Sequence, residues 1–167
     1  MIKLPSVQRD FTLIYSGDPA LDLPAFASDS ASDDEKQASL EARAQALKVA
    51  RETGNWPIKA GESPTLFHFT PDPGLAYDYF ESEIRRGHQR KKPLSAHELA
   101  VLIFRIALRK VENIGPLKLE FEDIDGYRLV SAKFVESIYA LGDVGRALVA
   151  ELGALAYERI RDPIGPL

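Results

Sequence analysis

The sequence contains no cysteine and only three histidines in 167 residues. Without thiols, disulfides, thiolate nucleophiles, iron–sulfur clusters and cysteine zinc sites are all excluded. The histidines are too few and too badly spaced for zinc motifs, since His97-Glu98 has no second histidine one helical turn further on. No serine sits in a Gly-x-Ser-x-Gly elbow. A glycine-rich phosphate loop is also missing, because Gly142-Asp143-Val144-Gly145 has neither a strand before it nor a lysine after it. The longest apolar stretch, Leu99 to Leu108, is broken by Arg105 and has about half the length of a membrane span. At the start, Met1-Ile2-Lys3-Leu4-Pro5-Ser6 lacks the basic-then-apolar pattern of a secretory signal. These absences predict a cytoplasmic, non-enzymatic protein with no cofactor, no metal and no membrane partner.

What is present is the composition of a globular domain, 45% hydrophobic and 28% charged. This length suits one domain with an appended arm, and such a domain buries about 70% of its unfolded surface. With 21 basic against 25 acidic residues the net charge is −4, which argues against a general nucleic-acid binder.

Along the chain, Asp10 to Tyr15 alternates polar and apolar residues and predicts a strand, which Gly17-Asp18-Pro19 ends. Ser32 can cap a helix running to Thr53, with Asp33, Asp34 and Glu35 opposing the positive end of its dipole. Its apolar face (Leu40, Ala44, Leu47, Ala50) is thin. Thr65 to Thr70 predicts a strand, and Gly74 to Arg86 a helix with Leu75, Tyr79, Phe80 and Ile84 on one stripe and Gly87 as its end. Ser95-Ala96-His97-Glu98 matches a capping box, opening a mostly apolar central helix expected from Glu98 to Glu112. Lys118 to Glu122 and Tyr127 to Val130 alternate around Asp125-Gly126, a dipeptide suited to tight hairpins. Ser131 then caps a helix to Leu141 with Leu141 inside, and Asp143 opens a last helix to Arg161. In that helix Gly145, Ala150, Gly153 and Ala154 permit close backbone approach. The sum is α+β: a mainly helical domain of about five helices with short strands, including a hairpin near 118–130. The expected divisions are an extended amino-terminal arm at 1–31 with one strand, an amphipathic helix at 32–54, and a compact α+β domain at 55–167.

Two constellations invite a chemical reading. Asp123-Ile124-Asp125-Gly126 fits the third, fifth and sixth positions of a calcium loop, but the first and twelfth positions fall on Phe121 and Ala132, so the match fails at both ends. Glu120 and Glu122 share a strand face, as a carboxylate pair or as a solvated outer face. The strongest charge feature is the tract from Arg85 to Lys92, read as a loop, in which Arg85, Arg86, Arg90, Lys91 and Lys92 are basic. It can grip phosphates, dock an acidic protein surface such as the Ser28–Glu35 segment of a neighbouring copy, or stay solvated. In the arm, Phe11, Leu13 and Tyr15 lie on a strand able to complete another subunit's sheet, or to fold onto its own domain.

From Gly61 the order of features is Gly61-Glu62-Ser63-Pro64-Thr65-Leu66-Phe67 into a strand, an apolar helix ending Arg109-Lys110-Val111-Glu112-Asn113-Ile114, a hairpin, and two helices, the second with Glu151-Leu152-Gly153. Over residues 61–160 this resembles small proteins encoded among the structural and tail genes of tailed bacteriophages, virion proteins and tail assembly chaperones. The resemblance implies a morphogenesis or virion component that binds other phage structural proteins or itself, in the virion or the host cytoplasm. It carries no catalytic residues. A nucleic-acid-binding accessory factor using the basic tract is the alternative.

Overall fold

The computed structural model describes residues 10–161, so the expectations for residues 1–9 and for a helix stop at Asp162-Pro163 lie outside the described residues. The fold is α+β, with five helices and two small antiparallel sheets among the described residues. Two compact units divide the chain. One takes the residues up to Tyr15 together with Thr65 onward, and the other is Ser16–Pro64. The extended stretch expected at 1–31 is therefore split, its strand belonging to the larger unit.

The smaller unit is built on helix α1, Asp33–Thr53. Ser32 and Glu35 form a reciprocal capping box: the serine hydroxyl accepts from the Glu35 N–H and the carboxylate accepts from the Ser32 N–H. Gly54 closes the helix in the left-handed conformation at φ 72°. Arg43 ties an extended stretch to α1, donating to the carbonyls of Ser16 and Pro24 and stacking over Phe26. A single bridge joins Leu21 to Ile58.

In the larger unit, strands β1 (Phe11–Leu13), β2 (Leu66–Phe69) and β3 (Leu108–Glu112) form an antiparallel sheet in the order β1-β2-β3. β4 (Phe121–Ile124) and β5 (Tyr127–Val130) form the hairpin. Asp125 at φ 52° and Gly126 at φ 84° supply the two positive angles its tight turn requires. Around the sheets lie α2 (Leu75–Gln89), α3 (Ala96–Ala107), α4 (Ala132–Tyr139) and α5 (Asp143–Arg161). The core combines Phe67 and Phe69 of β2, Phe80 of α2, Ile103, Phe104 and Ile106 of α3, and Leu152 of α5. Phe104 meets Phe69 edge-on at 5.8 Å between ring centres.

Four boundaries differ from the sequence reading. The first hairpin strand is Phe121–Ile124 rather than Lys118 to Glu122. The central helix stops at Ala107 rather than Glu112, because Leu108 turns extended (φ −67°, ψ 130°) and residues 108–112 pair with β2. Non-local hydrogen bonding outweighs the local helical pattern there. α2 runs through Gly87 to Gln89, so Arg85, Arg86 and His88 lie on a helix and not in a loop. Gly87 is buried under the returning chain, where an added Cβ would lie 3.0 Å from the Lys92 carbonyl oxygen. Glycine serves close approach here, and Lys91 supplies the left-handed residue at φ 55°. Leu141, expected inside, is 58% exposed because α4 ends two residues before it.

α5 lies backbone-to-backbone on its neighbours: a Cβ at Gly153 would fall 2.1 Å from the Ala100 carbonyl oxygen, and one at Gly145 only 1.9 Å from that of Ile138. Replacing Gly153 by alanine is therefore expected to destabilise the larger unit by about 1–3 kcal/mol or more through overpacking, measured as a lowered midpoint in urea. Ala154 is exposed, and Ala154→Gly supplies the control at about 1 kcal/mol.

Capping also makes stability depend on pH. Hydrogen bonds from the serine N–H and hydroxyl hold Glu35 and Glu98 below the ordinary glutamate range. A depressed folded value means the stabilisation is complete above the unfolded value and is lost as pH falls through the folded one. Glu98→Gln is accordingly expected to lower the melting temperature at pH 7 and to converge on the parent as pH falls through the depressed folded value of the Glu98 carboxyl.

Candidate functional site

The residues expected to bind partners fall into two structurally different groups. Phe11 and Leu13 are spent on the chain's own sheet, and Tyr15 lies two residues past the end of its first strand. β1 pairs along β2, with Phe11 opposite Phe69 and Leu13 opposite Phe67. Leu13 is buried, and Phe11 stacks on Phe69 at 5.8 Å. Burial first, and the Glu151 carboxylate second, raise the Tyr15 phenol above its ordinary pKa. β1 completes this chain's sheet because Thr12 and His68 meet across it: Thr12 Oγ1 lies 2.9 Å from His68 Nδ1, and Glu112 Oε1 on β3 lies 3.1 Å from His68 Nε2. His68 thus hydrogen-bonds across to β1 through Nδ1, while its Nε2 lies close to the Glu112 carboxylate of β3 without a hydrogen bond of good geometry.

Arg85, Arg86, Arg90, Lys91 and Lys92 do come together, at the carboxyl end of α2. Cations there oppose the negative end of the helix dipole. The exposed main chain is closed by the Arg90, Lys91 and Lys92 N–H groups, which donate to Arg86, His88 and Gly87. Arg86 is engaged by Glu83 at 2.5 Å, while Arg85, Arg90, Lys91 and Lys92 are exposed. Upstream on the same helix a shallow depression of about 330 Å³ is lined by Tyr77, Phe80, Glu81, Ile84, Arg85 and, from α5, Tyr157. Helical spacing puts Tyr77, Phe80 and Ile84 on one side of α2, and Tyr157 packs against Phe80 at 6.0 Å. The basic tract therefore adjoins an aromatic surface, which the linear sequence had suggested was all core.

A larger groove of about 590 Å³ lies at the other end of α2, lined by Pro73, Leu75, Arg109, Phe121, Tyr127 and Arg128 among others. None of these residues stood out in sequence as a binding residue. Leu75, placed by its spacing on the buried stripe, is instead 74% exposed; at the first position of α2 it lies ahead of the turns that meet the core. Arg109 owes its position to a β-bulge. His68 pairs with Lys110 and Phe69 with Leu108, so Arg109 is the extra residue, and bulges of this kind re-aim a side chain. Its Nη1 donates to the carbonyl of Ile106 at 2.9 Å. Burial, followed by the neighbouring Arg128 charge, lowers the Arg109 pKa, while Asp10 acts in the opposite sense. Arg128 lies over the Phe121 ring at 4.9 Å.

The hairpin that carries Phe121, Tyr127 and Arg128 is anchored by Glu122. Its carboxylate accepts from the Arg105 guanidinium and from the Ala132 N–H at the start of α4. Arg105 also donates to the Val130 carbonyl at 2.8 Å. Of the two glutamates that share a strand pattern, Glu122 is thus a structural anchor and Glu120 faces Lys133 at the surface. Among the described residues no three histidine, aspartate or glutamate side chains converge as a metal-holding group, and no helix is long and apolar enough to cross a membrane.

No family model, curated protein or solved structure matches this chain.

The Arg105 side chain is only 12% exposed, so removing its carboxylate strands a charge. Glu122→Ala is expected to cost about 1–3 kcal/mol, and a double variant with Arg105→Met less than the sum of the single losses, both measured by urea unfolding.

Proposed function

We propose that this chain is a non-enzymatic assembly protein that works through protein–protein contact, as a morphogenesis or virion component of a tailed bacteriophage. The observation that carries the protein-contact reading is the surface of α2, where exposed cations continue into the Tyr77–Ile84–Tyr157 depression. Aromatic and arginine side chains of this kind dominate binding energy at protein interfaces. Tyr77 and Tyr157 offer large rigid contact area, and Arg85 at the rim of the depression offers a planar donor fork for a carboxylate. The partner that fits is a protein with an apolar anchor flanked by acidic residues. The phage setting rests on the sequence resemblance over residues 61–160, in which the helix read through Ile114 gives way to a strand at Leu108, and implies a virion or host-cytoplasm location.

The second reading, a nucleic-acid-binding accessory factor, is favoured by the cluster of Arg85, Arg86, Arg90, Lys91 and Lys92 at one helix end. Its aromatic neighbours pack tilted against one another, Tyr77 on Phe80 and Phe80 on Tyr157, which suits a protein anchor better than a base-stacking platform.

The two readings separate in a binding experiment on the full chain. Products of neighbouring structural genes, passed with the chain through size exclusion with light scattering, are expected to co-elute. Tyr157→Ala is expected to weaken that complex by about 2 kcal/mol or more, as interface hot spots do. Complete indifference of the chain to every such neighbour defeats the reading. Affinity for DNA or RNA that falls with salt at a log–log slope of about −3 to −4, matching the four exposed cations other than the Glu83-paired Arg86, supports the second.

A further inference from the structure

The groove at the amino-terminal end of α2 has the attributes of a recognition site for acidic peptide. Two guanidinium groups, Arg109 and Arg128, line it. Among the described residues neither makes an ion pair. Arg109 is held by carbonyl oxygens through Nη1 alone, which leaves Nη2 for a ligand. Arg128 is oriented by the Phe121 face beneath it, so its N–H edge is preset for a carboxylate fork. Asp10 offsets part of the cost at Arg109, but the two like charges repel each other and one is partly desolvated, so an arriving anion relieves what remains. Leu75 and Tyr127 add an apolar wall next to the charges. The matching ligand carries carboxylates close to a large apolar side chain.

This chain itself displays such a ligand. Phe26 is 62% exposed, and Asp29, Asp33 and Asp34, which follow it, are all exposed. We propose that the Phe26–Asp34 segment of a second copy docks in the Arg109–Arg128 groove, so that copies associate head to tail. The two surfaces are different patches of the molecule, so the contact is heterologous and closes into a ring or propagates as a filament. The basic end of α2 is a poorer acceptor for the same segment, because one of its arginines is already paired with Glu83 and no exposed aliphatic side chain comparable to Leu75 lines its depression. This association is independent of any different protein bound at α2.

Sedimentation velocity on the full chain over a wide concentration range at low salt tests the idea, together with fluorescence anisotropy of a synthetic peptide spanning residues 26–35. The parent is expected to form species larger than a dimer, and the peptide to bind it and to compete with self-association. Arg128→Glu, whose side chain is exposed and leaves the core untouched, is expected to weaken both by at least tenfold while the thermal melt stays cooperative. Asp29→Lys with Asp33→Lys and Asp34→Lys is expected to do the same from the other side. Arg85→Glu with Lys91→Glu is expected to change nothing. The proposal is overturned by a parent that remains monomeric with no peptide binding, or by loss of association in the Arg85→Glu, Lys91→Glu protein. It is equally overturned if inorganic phosphate or a short oligonucleotide binds in an Arg128-dependent way while the peptide does not, since the groove is then a phosphate site. Failure here leaves the complex with neighbouring gene products, read through Tyr157, unaffected.

Discussion

The contact on which the larger unit depends is the approach of α5 to α3, backbone against backbone, at Gly153 and Ala100. A helix surface normally meets its neighbour through side chains, with axes 8–10 Å apart. The absence of a Cβ at Gly153, and again at Gly145 against Ile138, removes that spacer. With the spacing fixed by backbone atoms, the Ile103, Phe104 and Ile106 side chains are fully enclosed, none showing measurable exposure. Interiors of this density transmit displacement rather than absorb it, so the direction in which α3 ends is determined too. Its last residue delivers the chain straight into β3 with no intervening loop.

That direct delivery shapes the surface. β3 must pair with β2 immediately, and the register it adopts leaves one residue over, Arg109. A strand without the bulge would send alternate side chains to alternate faces, whereas here both Arg109 and Lys110 are exposed. The bulge therefore gives the groove its first guanidinium. The second comes from the hairpin, whose position is set by Glu122 linking Arg105 of α3 to the start of α4. Both cations of the groove are thus referenced to α3, one through the chain and one through an ion pair.

Charge is distributed in the same economical way. The net charge is small, yet α2 carries cations at its carboxyl end and overlooks a pair of arginines at its amino end, while Asp29, Asp33 and Asp34 cluster before and at the start of α1. Patches of opposite sign on one chain favour ordered association over non-specific adhesion, because only a few relative orientations bring unlike charges together. The same arrangement explains why total charge says little about the local charge of the surface.

Much of the fold was legible because it is written in local chemistry. Ser95 and Glu98 close a capping box wherever the surrounding chain permits, Asp125-Gly126 accepts two positive φ angles at little cost, and apolar residues at helical spacing marked α2, α4 and α5. The basic tract was visible as composition, although not as the end of a helix. What stayed hidden depends on partners remote in sequence. Leu108 to Val111 is apolar at spacings that suit a helix, and only the hydrogen bonds of β2 make it a strand. Gly87 looks like a terminator until the returning Lys92 is seen lying on it. Arg109 carries no local signal, because a bulge exists only once two strands are paired. The sequence alone determined the helices, the hairpin and the absence of thiol chemistry, since each is decided within a few residues. The register, the close helix contacts and the paired arginines were decided only by the tertiary structure, since each is a relation between segments that no local energy specifies.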